Sequence, residues 1–397
     1  MNAIQLRQLF RDQFGYEEGV RIFFAPGRVN LIGEHTDYNG GYVFPAALTY
    51  GTWAAAAPST SRMYRFASAN FPSTATCTVT EELLYREEDD WANYPKGVLK
   101  ELLQIAGLEG AEKFMGADVL YYGNIPNGAG LSSSASIELV TGLALSKLAD
   151  FDIPMMGLVE IGQKAENRFV GVNCGIMDQF AVGMGRENHA MVLKCDTLKF
   201  RYVPLEIDGY KLVITNTNKR RGLADSKYNE RRAQCEEGLS IIQQQLPLVR
   251  NLGDVSLAEW EKVHHYIEDD VIHRRVEHVI KENERVLAAT KCLQDNDLYE
   301  FGARMKQSHI SLRDLYEVTG FELDTLFEEA SKVEGCVGTR MTGAGFGGCS
   351  VSLVKEEAVD EFKEKVAKNY SEKTGLEPIF YVCEIGDGAK EIMYMGE

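Results

Sequence analysis

Residues 126–136 read P-N-G-A-G-L-S-S-S-A-S, and they stand between a strand-like run (117–122, A-D-V-L-Y-Y) and a segment with helical periodicity. In that segment Leu139, Val140, Leu143, Ala144 and Leu148 recur at helix spacing. The chain must therefore turn sharply out of a strand and open a helix on three consecutive serines. Serine is a modest helix former that covers little core. At a helix start it offers hydroxyls beside four N–H groups without intrahelical partners, at the positive end of the macrodipole, a setting that suits phosphate. Gly128 and Gly130 let the backbone come close to a ligand and adopt positive φ. Ser132, Ser133 and Ser134 stand where they can cap the helix, donate to phosphate oxygens or ligate Mg²⁺. A plain serine-capped helix after a tight turn fits the same letters.

Composition narrows the ligand. The chain has 397 residues, more than one core comfortably accommodates. Its 42 basic and 59 acidic residues leave a formal net charge of −17, which argues against a nucleic-acid or membrane-surface protein. An anionic ligand would then need helix N-termini, a few arginines or a metal ion to overcome the overall field. Eight scattered cysteines without a C-x-x-C pair fit thiols in a reducing compartment. The amphipathic start, M-N-A-I-Q-L-R-Q-L-F-R, is not a signal peptide, and no apolar run reaches the ~20 residues that span a bilayer. The expectation is a cytoplasmic protein that binds neither nucleic acid nor membrane.

Along the chain, 21–25 reads as a short strand ending at Pro26-Gly27, followed by a polar loop to Gly41 and β-branched, apolar character over 42–57. A helix is expected over about 154–169 and strands at 189–195 and 211–218. Long charged helices follow at 224–246, 270–293 and 297–316, then strands near 336–341 and 349–354, a helix at 356–369 and a strand at 378–385. Strands and helices interleave in both halves. The pattern predicts an α+β protein of two domains, 1–205 and 206–397, packed closely without a linker.

Three further polar constellations stand out. G-A-G-F-G-G (343–348) matches G-x-G-x-x-G literally, yet a dinucleotide fingerprint must open a helix and here another strand follows. What remains is a glycine turn between strands that lets backbone approach a ligand or another loop, or else a plain hairpin. A-P-G-R-V-N-L-I-G-E-H-T-D-Y-N-G-G (25–41) crowds Arg28, Glu34, His35 and Asp37 into one loop. Paired acceptors and donors of this kind are what a desolvated polyhydroxylated sugar requires. A metal centre or a solvated polar loop are the rivals, and the metal reading lacks a second His or Cys cluster. In N-C-G-I-M-D-Q-F (173–180), Asp178 sits among apolar residues as a candidate base, or as a turn residue. No Gly-Lys dipeptide occurs, so there is no Walker A, and the protein-kinase motif set is missing as well.

Together these segments resemble the GHMP small-molecule kinases. P-x-G-x-G-L-S-S-S-A is similar to their phosphate loop, G-R-V-N-L-I-G-E-H-T-D-Y-N-G-G to the signature of the galactokinases, C-G-I-M-D-Q-F to their catalytic segment and T-G-A-G-F-G-G-C to their third motif. The motifs occur in the family's order over residues 20–350. The resemblance implies an N-terminal ribosomal-protein-S5-like domain, a C-terminal ferredoxin-like domain and an active site between them. It implies ATP phosphates on the turn at Gly128, Gly130, Ser132, Ser133 and Ser134, with Trp91 lining the adenine pocket. Mg²⁺ would be held by Ser133 and Glu166. Glu34, His35, Asp37, Gly175 and Tyr228 would grip galactose, Asp178 would act as base at the anomeric hydroxyl beside Arg28, and Arg220 would lie near the transferred phosphate. The implied reaction is phosphorylation of α-D-galactose at O1 by ATP, in a monomer. A kinase for N-acetylgalactosamine or arabinose and a non-catalytic galactose sensor are the alternatives. The intact S-S-S-A favours an enzyme.

Overall fold

The computed structural model describes residues 1–59, 61–79, 82–126, 130–219 and 224–393, with backbone alone at 224–226. Both halves mix strands and helices, as the interleaved pattern requires. Helix α1 (Ala3–Phe14) leads into strand β1 (Arg21–Asn30), followed by β2 (Tyr42–Val43), β3 (Pro45–Pro58), β4 (Met63–Ser68) and β5 (Ala75–Thr78). Then come α2 (Asn93–Ala111), β6 (Ala117–Gly123), α3 (Ser133–Leu148), α4 (Met155–Lys164) and α5 (Met177–Met184). Strands β7 (His189–Lys194), β8 (Lys199–Pro204) and β9 (Tyr210–Asn216) lead into the helical second half. That half holds α6 (Ala224–Gln243), α7 (Leu257–Val263), α8 (Asp270–Gln294), α9 (Leu298–Ser311) and α10 (Phe321–Ser331). Strands β10 (Cys336–Thr342) and β11 (Cys349–Lys355), helix α11 (Val359–Thr374), and strands β12 (Ile379–Cys383) and β13 (Lys390–Ile392) close the described chain.

Among the described residues three sheets form, with strand orders β13-β1-β3-β6-β4-β5, β10-β11-β9-β12 and β2-β7-β8. The C-terminal strand β13 lies antiparallel to β1, Ile22 opposite Ile392, so the chain returns to the first sheet. That return and helix α10 were not foreseen from periodicity. One hydrophobic cluster joins Val29, Leu31 and Phe44 of the first half to Ile214, Val286, Phe301 and Val351 of the second, so the halves share a core.

Strand β1 does not stop at Pro26-Gly27. It runs on to Asn30, with an irregular register between Pro26 and Arg28. Proline lacks a ladder donor and belongs at such a bulge. Gly27 is needed there because a β-carbon would lie 2.7 Å from the carbonyl oxygen of Leu131. The Arg28 amide donates to that same carbonyl at 3.1 Å, fastening the serine turn onto β1. Helix α3 is buried along most of its length, and Ser136 Oγ donates to the Ala25 carbonyl at 2.8 Å. The start of α3 is thereby fixed against β1 and β3.

Candidate active site

Four separated segments converge where the halves meet. The motif at 25–41 is no solvated loop: Arg28, Glu34, His35, Thr36 and Asn39 are all buried. Arg28 directs Nε and Nη2 to Asp178 Oδ1 at 2.9 and 2.7 Å, and Nη1 to the Gly130 carbonyl at 2.8 Å. One guanidinium thus joins the candidate base to the phosphate-loop turn. Asp178 lies in the first turn of α5, where the helix dipole favours a carboxylate. Its second oxygen, Oδ2, accepts from Ser132 Oγ at 2.6 Å.

Glu34 Oε1 accepts from the Gly343 amide at 2.7 Å and from Thr342 Oγ1 at 3.1 Å, with Arg340 Nη1 at 3.4 Å. The T-G-A-G-F-G-G turn therefore serves as the close backbone approach anticipated for it, and its partner is the candidate sugar carboxylate. His35 has φ 62°. Its Nε2 lies 3.2 Å from the Ala344 carbonyl, which only accepts, so Nε2 carries the proton and Nδ1 accepts from Tyr38 Oη at 2.8 Å. Burial pulls the imidazole down to about 3, so it is neutral. Tyr38 Oη lies 2.8 Å from Tyr316 Oη, which belongs to a π turn (Leu312–Tyr316) continuing α9. Both His35 nitrogens are thus engaged by protein, and the imidazole contributes a wall.

Arg28, Glu34, His35, Asp37, Gly175, Asp178 and Tyr228 all line one cavity of about 410 Å³. That volume falls in the usual range for small-molecule sites, roughly 300–1,000 Å³. Burial, and next the charge of Asp178, raises Asp37 to about 7. A second cavity, of about 310 Å³, is lined by the aromatic residues Phe71, Trp91, Tyr94 and Tyr121 and by Ser133 and Ser134 at its floor. Trp91 is held there by a hydrogen bond from Nε1 to Ser73 Oγ at 2.9 Å. The serine turn thus separates two cavities, one carboxylate-rich and one aromatic. Gly130 has φ 70°. Ser132 sits at the helix start without a side-chain cap bond, so the capping role does not hold for it. Gly128 and Arg220 lie outside the described residues.

Glu166 is carried by a second π turn (Ala165–Val170) at the end of α4, the kind of local widening often found at functional sites. Its carboxylate accepts from Gln179 Nε2 at 2.6 Å and lies on the wall of the 410 Å³ cavity. Burial, then Asp178, pushes it up to about 7. A hydroxyl and a crowded buried carboxylate are hard oxygen donors that suit Mg²⁺, and a cation would relieve the crowding. Among the described residues no group of three or more His, Cys, Asp or Glu forms a metal cage. Glu166 lines the 410 Å³ cavity and Ser133 the aromatic one, and the serine whose side chain bonds the Glu166 carboxylate is Ser134. Tyr38, Gln179 and Glu138 were not identified beforehand. Gln179 adjoins Asp178 in the quoted motif, and its Nε2 also reaches Glu138 Oε2 at 2.9 Å.

Residues 8–58 match the galactokinase galactose-binding signature, 93–186 the GHMP kinases N terminal domain and 289–372 the GHMP kinases C terminal. The chain is 51% identical over 384 residues to a galactokinase of Fusobacterium nucleatum, covering 96% of this chain and 98% of that one. It is 50% identical over 390 residues to a galactokinase of Bacillus subtilis, covering 98% of each. The fold superposes on Lactococcus lactis galactokinase complexed with galactose with a TM-score of 0.92 at 43% identity, over 98% of this chain and 99% of that one. A Methanococcus jannaschii mevalonate kinase shares the fold at 18% identity, with a TM-score of 0.66 over 94% of this chain and 100% of that one.

Proposed function

The chain belongs to the galactokinases within the GHMP kinases, and from that membership we infer that it transfers the γ-phosphoryl group of ATP to O1 of α-D-galactose, giving galactose 1-phosphate and ADP. The observation that carries the site assignment is the Arg28–Asp178 pair, set between a carboxylate-walled cavity and a serine turn that floors an aromatic one. We assign galactose to the first cavity and ATP to the second, with the phosphates reaching across the α3 N-terminus. Phosphoryl transfer depends mainly on alignment and charge neutralisation, and both are supplied here by fixed groups.

In this reading Asp37 and Glu34 accept sugar hydroxyls, Gly175 keeps the wall open beside Asp37, and His35 and Tyr228 pack against the ring. Asp178 orients the anomeric hydroxyl and takes its proton as the O1–P bond forms and the bond to the ADP oxygen breaks. Arg28 pairs with Asp178 and adds positive potential where negative charge develops. Ser133 and Glu166 would hold Mg²⁺, which when bound would neutralise charge on the phosphate oxygens. Trp91 offers a face to adenine. None of the eight cysteines forms a disulfide, and no helix among the described residues is long and apolar enough to cross a membrane. Both features are compatible with the cytoplasm.

An ADP-release assay over galactose, N-acetylgalactosamine and arabinose tests the reading. Turnover with galactose preferred is expected. Preference for another sugar moves the assignment within the family, and binding of both ligands without ADP makes the chain a sensor.

A further inference from the structure

We propose that Ser132 is a positioning residue for the transfer, holding Asp178 in its working orientation instead of contacting phosphate. The inference rests on Asp178 being the group that takes the sugar proton.

The three serines divide their hydroxyls. Ser133 and Ser134 line the aromatic cavity, with the Ser134 side chain also bonded to Glu166, while Ser132 Oγ donates to Asp178 Oδ2 at 2.6 Å. Serine at a helix start ordinarily caps the helix, yet Ser132 makes no such bond. Its backbone, at φ 61° and ψ 51°, is left-handed, a conformation that strains an L-residue and costs glycine much less. Among the described residues, this strained residue uses its hydroxyl on Asp178 and not on a cap.

That commitment answers a mechanical need. Arg28 sends both its Nε and its Nη2 to the same oxygen, Oδ1. The terminal torsion of an aspartate is soft, so a carboxylate held at one oxygen rocks about it. Ser132 holds the second oxygen and so fixes the carboxylate plane. A carboxylate oxygen has two lone pairs, so Oδ2 keeps one for the anomeric O–H while the serine occupies the other. The proton passes from O1 to Oδ2 as O1 bonds to phosphorus and the bond to the ADP oxygen breaks. Because Ser132 adjoins Ser133 in the chain, base and phosphate turn are locked in one unit, which aligns the acceptor with the γ-phosphoryl.

The test compares Ser132→Ala with Ser132→Gly. Alanine removes only the hydroxyl and keeps the left-handed strain, whereas glycine removes the whole hydroxymethyl group and relieves the backbone, so the pair separates a turn role from a positioning role. Both variants are expected to lose roughly 10- to 100-fold in kcat, the scale of a small misplacement of a reacting group, with KM for galactose and for ATP within about twofold of the parent. Ser132→Gly should melt no lower than the parent. Adding Ser132→Ala to Asp178→Asn should cost almost nothing further, since the two act as a unit. Parent-like kcat in Ser132→Gly overturns the proposal, as does a raised KM for ATP at unchanged kcat. Absence of galactose phosphorylation in the parent would instead remove the functional reading beneath it.

Discussion

Asp37 and Gly175 approach so closely that a β-carbon on Gly175 would lie 1.9 Å from Asp37 Oδ2. Gly175 belongs to the segment that also carries Asp178, and Asp37 follows strand β1, which carries Arg28, so this contact fixes the width of the cavity assigned to the sugar. Gly175→Ala is expected to push the Asp37 carboxyl out of place and to forfeit a charge-assisted hydrogen bond of about 1.5–3 kcal/mol. Galactose affinity by calorimetry should fall by roughly 10- to 150-fold, while ADP affinity stays unchanged. Unaltered galactose affinity would show that Asp37 does not hold the sugar.

Asp37 also gives the site a pH dependence. Burial, and next the charge of Asp178, raises it from its ordinary range to about 7. The folded protein therefore keeps a proton that the unfolded chain releases between about pH 4 and pH 7, so stability falls as pH rises across that window. Asp37→Asn removes this burden. The variant should melt higher than the parent near pH 8, with the difference vanishing near pH 4. A sugar that needs the ionised carboxylate binds the parent up to roughly tenfold more weakly for each pH unit below 7, and the amide variant weakly at all pH. Parallel pH profiles of galactose affinity in the two proteins would refute this.

How much of this was legible in the residues follows from where each signal resides. The serine turn, the interleaved strands and helices and the glycine hairpin are local, and periodicity or turn chemistry revealed them. The pairing of Arg28 with Asp178 spans 150 positions. Spacing carries no trace of such a contact, and only the combined motifs brought the two residues together. The letters S-S-S do not distinguish Ser132 from its neighbours; its left-handed backbone follows a Leu131 carbonyl fastened to Gly27 and Arg28 of β1, a contact absent from local sequence. Polar residues such as Gln179 and Glu138 read as ordinary helix formers. Their burial depends on how α3, α4 and α5 pack. Strand β13 is too short to announce itself and is a strand only because β1 has a free edge for it.

Trp91 and Tyr121 line the aromatic cavity assigned here to ATP, with ring planes at 73° and centroids 5.7 Å apart. Stacking of a base on an aromatic ring is worth about 1–3 kcal/mol by alanine substitution. Trp91→Ala should weaken ADP binding by roughly 5- to 150-fold, Trp91→Phe should recover most of it, and neither should alter galactose affinity. Equal ADP affinity in the alanine variant would place adenine elsewhere.

Glu166 distinguishes a metal role from a purely structural one. Its carboxylate is gripped by Gln179 Nε2 at 2.6 Å and lies 3.4 Å from Cys174 Sγ, so it is already oriented before any ligand arrives. Glu166→Gln preserves size and most hydrogen-bonding capacity but removes the charge that a divalent cation requires. If the residue served only to hold α4 against α5, the amide would be tolerated and the metal requirement would not change. If it is a ligand, the Mg²⁺ concentration for half-maximal turnover rises, on the order of 10- to 100-fold by analogy with lost support at other metal sites. Mn²⁺ binding in the presence of ADP, followed by electron paramagnetic resonance without turnover, should weaken in parallel. Galactose affinity should hold, because Glu34 and Asp37 are untouched. A variant with parent-like Mn²⁺ affinity would take Glu166 out of the metal shell and leave Ser133 as the remaining protein candidate.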